Sequence, residues 1–220
     1  MVHMGKGAAT RERILDIAEA AVLAKGFAAT SIEEIIAEAG ITKSGFFYHF
    51  RDKNELARAM LQRFVETHDR EFDHLFGRGR ELSDDPLQAF LIGLKLMAES
   101  LADLPGGHPG CVITSICYQE RLFDRQVVEL TAQYVRLWNE RFRGYLAAIE
   151  AVHPPREGVD LDDLADMLSC VIDGGIIMSK VLQDPRRLVR QILAYRALVK
   201  LAFTPATEVA RPAPPAIAAE

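Results

Sequence analysis

The chain has 220 residues, 49% of them hydrophobic and 26% charged, with a net charge of −5. That length holds one sizeable core or a small module on a larger one. No apolar run reaches the ~18–20 residues of a membrane span, and the acidic balance argues against coating nucleic acid by bulk electrostatics. The charge is unevenly spread, because residues 1–60 carry 8 basic and 8 acidic side chains and the rest of the chain holds the acidic excess. The N-terminus lacks a long apolar leader, and 3 cysteines do not make a disulfide framework, so a cytoplasmic location is expected.

Helical periodicity dominates, with no convincing alternating strand and no internal repeat, which predicts an all-α protein. Residues 1–9 read as a flexible N-terminus. A first helix is predicted from Thr10 as N-cap, with Ile14, Ala18 and Ala21 on one face and Gly26 as its left-handed stop. The second opens on the capping-box spacing Thr30-x-x-Glu33, places Ile32, Ile35, Ile36 and Ala39 on one side, and ends at Gly40. A short third helix follows from Thr42 to about His49, and a fourth begins at Asp52, with Glu55 repeating the capping-box spacing. After "GRGRELSDDP", Asp85 caps a helix with Pro86 at its first position, which stops near "LPGGHPG". Helical stretches are predicted over roughly 110–122, 124–151 and 160–178, and a last one from Asp184-Pro185 carries the stripe Leu188, Ile192, Tyr195, Val199. The Pro- and Ala-rich tail, 204–220, reads as disordered.

The second and third helices, joined by a turn at Gly40, have the layout of a helix-turn-helix. Phe46 and Phe50 share one face of the third helix and are predicted to pack on Ile35, Ile36 and Ile41. Lys43, Ser44, Phe47, Tyr48 and His49 are left facing outward. Such a set suits a phosphate-lined groove, since each polar member can donate to phosphate oxygen. Lys53 adds a cation at the N-terminus of the fourth helix, where free backbone N–H groups already favour an anion.

The segment "KGFAATSIEEIIAEAGITKSGFFYHFRDKNELARAML" resembles the DNA-binding domain of TetR/AcrR-type transcriptional regulators. The match is carried by Gly26-Phe27, Thr30, Ile35, Ala39-Gly40, Lys43, Tyr48-His49-Phe50, Lys53 and Leu56, over roughly residues 10–65. The resemblance implies a three-helix DNA-binding domain over 10–52 and a larger helical effector-binding and dimerisation domain over 53–203. It implies that Thr30 holds a phosphate, that Lys43, Ser44 and Gly45 approach base edges in the major groove, and that Tyr48, His49 and Lys53 clamp the backbone. With Thr42 and Phe47, these complete the expected DNA-facing set. Two positions depart from the family pattern: Phe47 stands where tyrosine is usual, and Gly45 where a small hydroxyl residue is common.

The resemblance also implies a repressor that binds a palindromic operator as a homodimer and is released by a small molecule. Gly174, Gly175, Leu188, Ile192, Tyr195 and Val199 are the expected dimer surface. Met97, Leu101, Cys117, Tyr118, Trp138, Phe142, Met167 and Cys170 are the expected lining of an effector pocket. No cofactor is expected, and the scattered histidines show no metal-binding spacing. Cys111, after "HPG" at a predicted helix N-terminus, and nearby His108 supply an alternative: a thiolate redox sensor or a thiol-dependent enzyme. Nothing at a recognisable spacing supplies an orienting group or oxyanion site, so no enzyme is expected. The remaining alternative is a helical adaptor whose helix-turn-helix is structural.

Overall fold

The computed structural model describes residues 5–204, and among these every regular element is helical. The helices are α1 (Lys6–Lys25), α2 (Ile32–Ala39), α3 (Lys43–His49), α4 (Lys53–Leu82) and α5 (Pro86–Ala102), followed by α6 (Val112–Cys117), α7 (Arg125–Glu150), α8 (Leu161–Val181) and α9 (Arg186–Phe203). A 3₁₀ turn over Glu120–Leu122 lies between α6 and α7.

Local chemistry sets most of the boundaries. Thr42, Asp52 and Asp85 each accept the N–H three residues on, and Asp160 accepts from both Asp162 and Asp163, so four helix starts hold a backbone donor that would otherwise lack a partner. Gly40 closes α2 at φ 62° and ψ 37°, the left-handed conformation that costs glycine least. Some boundaries differ from the sequence expectation. α1 starts at Lys6, so residues 6–9 are helical and Thr10 lies inside the helix. α4 continues through "GRGRE" to Leu82, and the stretch 110–122 divides into α6 and the 3₁₀ turn. The expectations for residues 1–4 and 205–220 lie outside the described residues.

α1, α2 and α3 form a small N-terminal unit around buried Ile14, Leu15, Ala18, Ile35, Phe46 and Phe50. Its connection to the rest is α4, which at 1.5 Å per residue is about 45 Å long. Arg63 of α4 ties the unit down by donating to Asp16 (2.6 Å) and Glu19 (2.7 Å) of α1. The larger unit packs α5 against α4 and α9, and α8 against α7 and α9.

Candidate nucleic-acid interface and internal cavity

α3 has only seven residues, too few to persist without tertiary support, so its position rests on what its inner face touches. Phe46 and Phe50 are fully buried, with ring centroids 5.8 Å apart. The opposite face is open: Lys43 and Ser44 are exposed, Tyr48 is 82% exposed and Phe47 is 40% exposed. His49, half-buried, meets the Tyr48 ring edge-on at 5.0 Å. Thr42 is committed to the cap, since its Oγ1 accepts the Gly45 N–H and lies 3.0 Å from Ser44 Oγ. A Cβ at Gly45 would come within 3.3 Å of that oxygen, so glycine here admits the cap.

Two expected phosphate ligands are placed otherwise. Thr30 is buried and donates its hydroxyl to Gly26 O at 3.0 Å, and Ser31 caps α2 instead, accepting the Glu34 N–H. Thr30 therefore presents no hydroxyl to a phosphate. Lys53 turns inward: Nζ donates to Phe27 O at 3.0 Å and sits 4.5 Å above the Phe27 ring. Burial lowers its pKa, and its ammonium braces the loop between α1 and α2. Arg11, a cation the sequence reading passed over, lies above the Phe50 ring at 5.1 Å, and no pattern in the sequence marked it.

The same loop receives the segment after α6. Gln119 Oε1 accepts the Ala28 N–H at 2.9 Å, and the Phe27 and Phe123 rings meet at 4.4 Å. Asp124 accepts from Arg58 of α4 at 2.7 Å, while its own N–H donates to Asn54 at 3.0 Å. Gln119→Ala should remove the acceptor of an exposed amide, so exchange at Ala28 should quicken by up to about tenfold, the worth of one hydrogen bond. Residue-resolved hydrogen exchange checks this; an unchanged Ala28 rate would show that the contact carries nothing.

At the other end of α6 lies an internal cavity of about 100 Å³. Phe64, His68, Phe72, Trp138 and Phe142 form an aromatic wall, with Phe72 edge-on to both Trp138 (6.0 Å) and Phe142 (5.4 Å). Met97 and Leu101 of α5 and Ile172 and Ile176 of α8 complete the apolar surface. The polar lining consists of His68, Glu71, His108, Ser169 and Asp173. His68 donates Nδ1–H to Phe64 O at 2.7 Å, and Trp138 Nε1–H is buried with no acceptor.

Of the expected lining, Met97, Leu101, Trp138 and Phe142 are on the wall. Cys117, Tyr118, Met167 and Cys170 are not: all four are exposed, because α6 turns its far end outward and α8 shows the cavity its other face. Cys111 and His108 do reach the cavity, without the expected thiolate. Burial, with the Asp173 charge nearby, pushes the Cys111 thiol up to about 11, outweighing the Thr114 N–H that its sulfur accepts. Burial takes His108 down to about 4, so the pair is neutral. His68, Glu71, Ser169 and Asp173 were missed, because each is one polar residue on an otherwise ordinary helix.

The expected dimer residues are corrected too. Gly175, Leu188, Ile192, Tyr195 and Val199 are buried within the subunit. Tyr195 donates to Leu164 O at 2.8 Å, Arg196 donates to Leu91 O at 2.7 Å, and a Cβ on Gly175 would strike Leu188. That face of α9 is covered by α5 and α8. Gly174 alone of the set is open, with nothing within 4 Å of a built Cβ.

Residues 14–60 match the sequence profile described as bacterial regulatory proteins of the TetR family. Over 80 residues the chain is 40% identical to the HTH-type transcriptional regulator TtgR of Pseudomonas putida, covering 36% of each chain. It thus spans about a third of the length of such curated relatives. Solved structures resemble nearly the whole chain. A TetR transcriptional regulator of Chloroflexus aurantiacus superposes with TM-score 0.73 at 24% identity, covering 90% of this chain and 97% of that one. A TetR-family regulator of Agrobacterium tumefaciens gives 0.75 at 16% identity, covering 90% and 100%. Together they show the same all-helical fold, an N-terminal helix-turn-helix domain on a larger helical one.

Proposed function

By its N-terminal domain this chain belongs to the TetR family of bacterial regulatory proteins, and from that premise we propose that it is a ligand-responsive repressor, binding a palindromic operator as a homodimer and released by a small-molecule effector. The observation that carries this reading is the two-sidedness of α3, with Phe46 and Phe50 sunk in the core while Lys43 and Tyr48 stand in solvent. A helix held that way can enter a major groove as a rigid body, with Lys43 directed at guanine N7 and O6 and Tyr48 at backbone oxygen. Ser44, Phe47 and His49 flank that contact. One such helix reads few base pairs, so a two-fold pair is needed for a specific site.

The pairing surface is the outer side of α8 and α9, where Gly174, Met178, Val181, Leu198 and Leu201 leave apolar area exposed. The effector occupies the aromatic cavity. A cavity of about 150 Å³ takes a benzene-sized molecule, so at about 100 Å³ this one must widen for any larger guest. Cys111 and Ile113, at the start of α6, lie on its wall, and the loop beyond α6 grips Phe27 and Ala28. Widening displaces α6 and thereby the N-terminal unit, and affinity for DNA falls by the effector's differential affinity for the two arrangements.

Lys43→Ala tests the interface. Fluorescence anisotropy with genomic fragments containing inverted repeats should show specific affinity reduced by roughly tenfold or more, with altered base preference at the contacted position, the loss of one good base contact being about 1–3 kcal/mol. Wild-type affinity and preference in the variant would refute the docking.

A further inference from the structure

One carboxylate in the cavity has no partner. Asp173 of α8 is half-buried on the wall and makes no hydrogen bond or ion pair among the described residues. Four other carboxylates of the larger unit are paired with arginine: Asp69 and Asp73 take Arg141, Asp162 takes Arg143, and Asp184 takes three arginines. A charge held partly away from water and left uncompensated is costly, and such groups are ordinarily found paired.

Its surroundings select the partner's sign. No lysine or arginine lines the cavity among the described residues. Lys180, exposed, lies beside Gly110 outside the lining. The titratable groups facing Asp173 are Glu71, half-satisfied by Ser100 at 3.4 Å and open to solvent, His68, His108 and Cys111. His68 Nδ1 is committed to Phe64 O, and His108 Nδ1 accepts the Gly110 N–H. An anionic guest would meet two carboxylates and no cation on the wall, Lys180 reaching only His108 from outside it. A cationic one would meet those carboxylates and the aromatic rings of Phe64, Phe72 and Trp138, whose π-systems can attract positive charge.

We propose that the effector is a lipophilic cation, an amine or quaternary ammonium carrying an aromatic or branched apolar body, with Asp173 as its counter-ion in the aromatic cavity. This rests on the reading of that cavity as the effector site. The body replaces the empty volume among Met97, Leu101, Ile172 and Ile176, and the charged head lies toward α8. Glu71, nearer solvent, attracts the cation on entry and contributes less to holding it.

Trp138 is the only tryptophan in the chain, so its emission reports the cavity directly. The full-length protein is titrated with benzyltrimethylammonium, with its uncharged isostere neopentylbenzene, and with phenylacetate. The wild type should bind the cation at least about tenfold more tightly than the isostere, the sum of an ion pair and a cation–π contact in a partly dry site, and phenylacetate most weakly. In Asp173→Asn the preference should shrink to the few-fold that the cation–π contact alone sustains, with neopentylbenzene unchanged, which also certifies that the variant is folded. Glu71→Gln should keep most of the preference. Equal binding of cation and isostere by the wild type, or a preference that Asp173→Asn leaves undiminished, overturns the counter-ion while leaving the cavity as a binding site. If none of the probes alters Trp138 emission, the cavity reading falls along with the proposal.

Discussion

Phe46→Ala is expected to abolish sequence-specific DNA binding while leaving the larger helical unit folded. Phe46 has no exposed surface, and its ring lies 5.4 Å from Phe47 and 5.8 Å from Phe50. Truncating a buried phenylalanine costs about 3–5 kcal/mol through lost transfer energy and the cavity left behind. The loss falls on a helix of seven residues that cannot hold itself together. What remains on its outer face, Lys43 and Tyr48, is no longer presented in a fixed geometry. Circular dichroism should lose only a few per cent of its helical signal, Trp138 emission should be unchanged, and binding to a specific site should fall to the level of random DNA. Specific binding at wild-type affinity would show that α3 does not depend on its anchor.

The second large effect concerns Gly79, where α4 and α5 meet backbone to backbone. A Cβ built there lies 2.3 Å from Ala89 O and 3.3 Å from Gly93 N, and neither backbone atom can rotate aside. Gly79→Ala therefore has to part the two helices by roughly 1 Å, disturbing the nearby Phe76–Phe90 stack at 5.4 Å. Overpacking of this kind costs about 3 kcal/mol, the upper end of its usual range. For a chain of this size that lowers the melting temperature by about 6–12 °C. Gly77, two residues earlier, meets only the tip of Arg80, so Gly77→Ala should raise stability by about 0.5–1 kcal/mol through helix propensity. Thermal unfolding of the two variants decides: a melting temperature for Gly79→Ala at or above that of Gly77→Ala would contradict the close approach.

What the sequence made legible is what short-range chemistry decides. Thr42, Asp52 and Asp85 announced their helices because a cap needs only its own next few residues. Where two neighbours offered the same spacing, local reading could not choose. Thr30 and Ser31 each precede a glutamate by three; the Thr30 hydroxyl turns back to Gly26 O and Ser31 takes the cap. Periodicity correctly sent Phe46 and Phe50 inward. It also assembled Leu188, Ile192, Tyr195 and Val199 into one stripe, but a stripe does not state what covers it, and α5 and α8 do so here. The cavity was half legible for the same reason. Aromatic residues at helical spacing mark a wall, whereas Asp173 and His68 gain meaning only when α4, α7 and α8 converge. α6 is too short to show a period, so Cys117 and Tyr118 could not be told from Cys111 and Ile113.

The grip of Arg63 on Asp16 and Glu19 bears on how this protein's affinity would respond to ionic strength. Raising salt displaces DNA by mass action of the counterions that phosphates release. The same ions screen a part-exposed cluster that fastens α1 to α4, loosening the platform on which the reading helix sits. A plot of affinity against salt concentration would thus be steeper than the number of phosphates touched, since each added ion acts once at the duplex and once inside the protein.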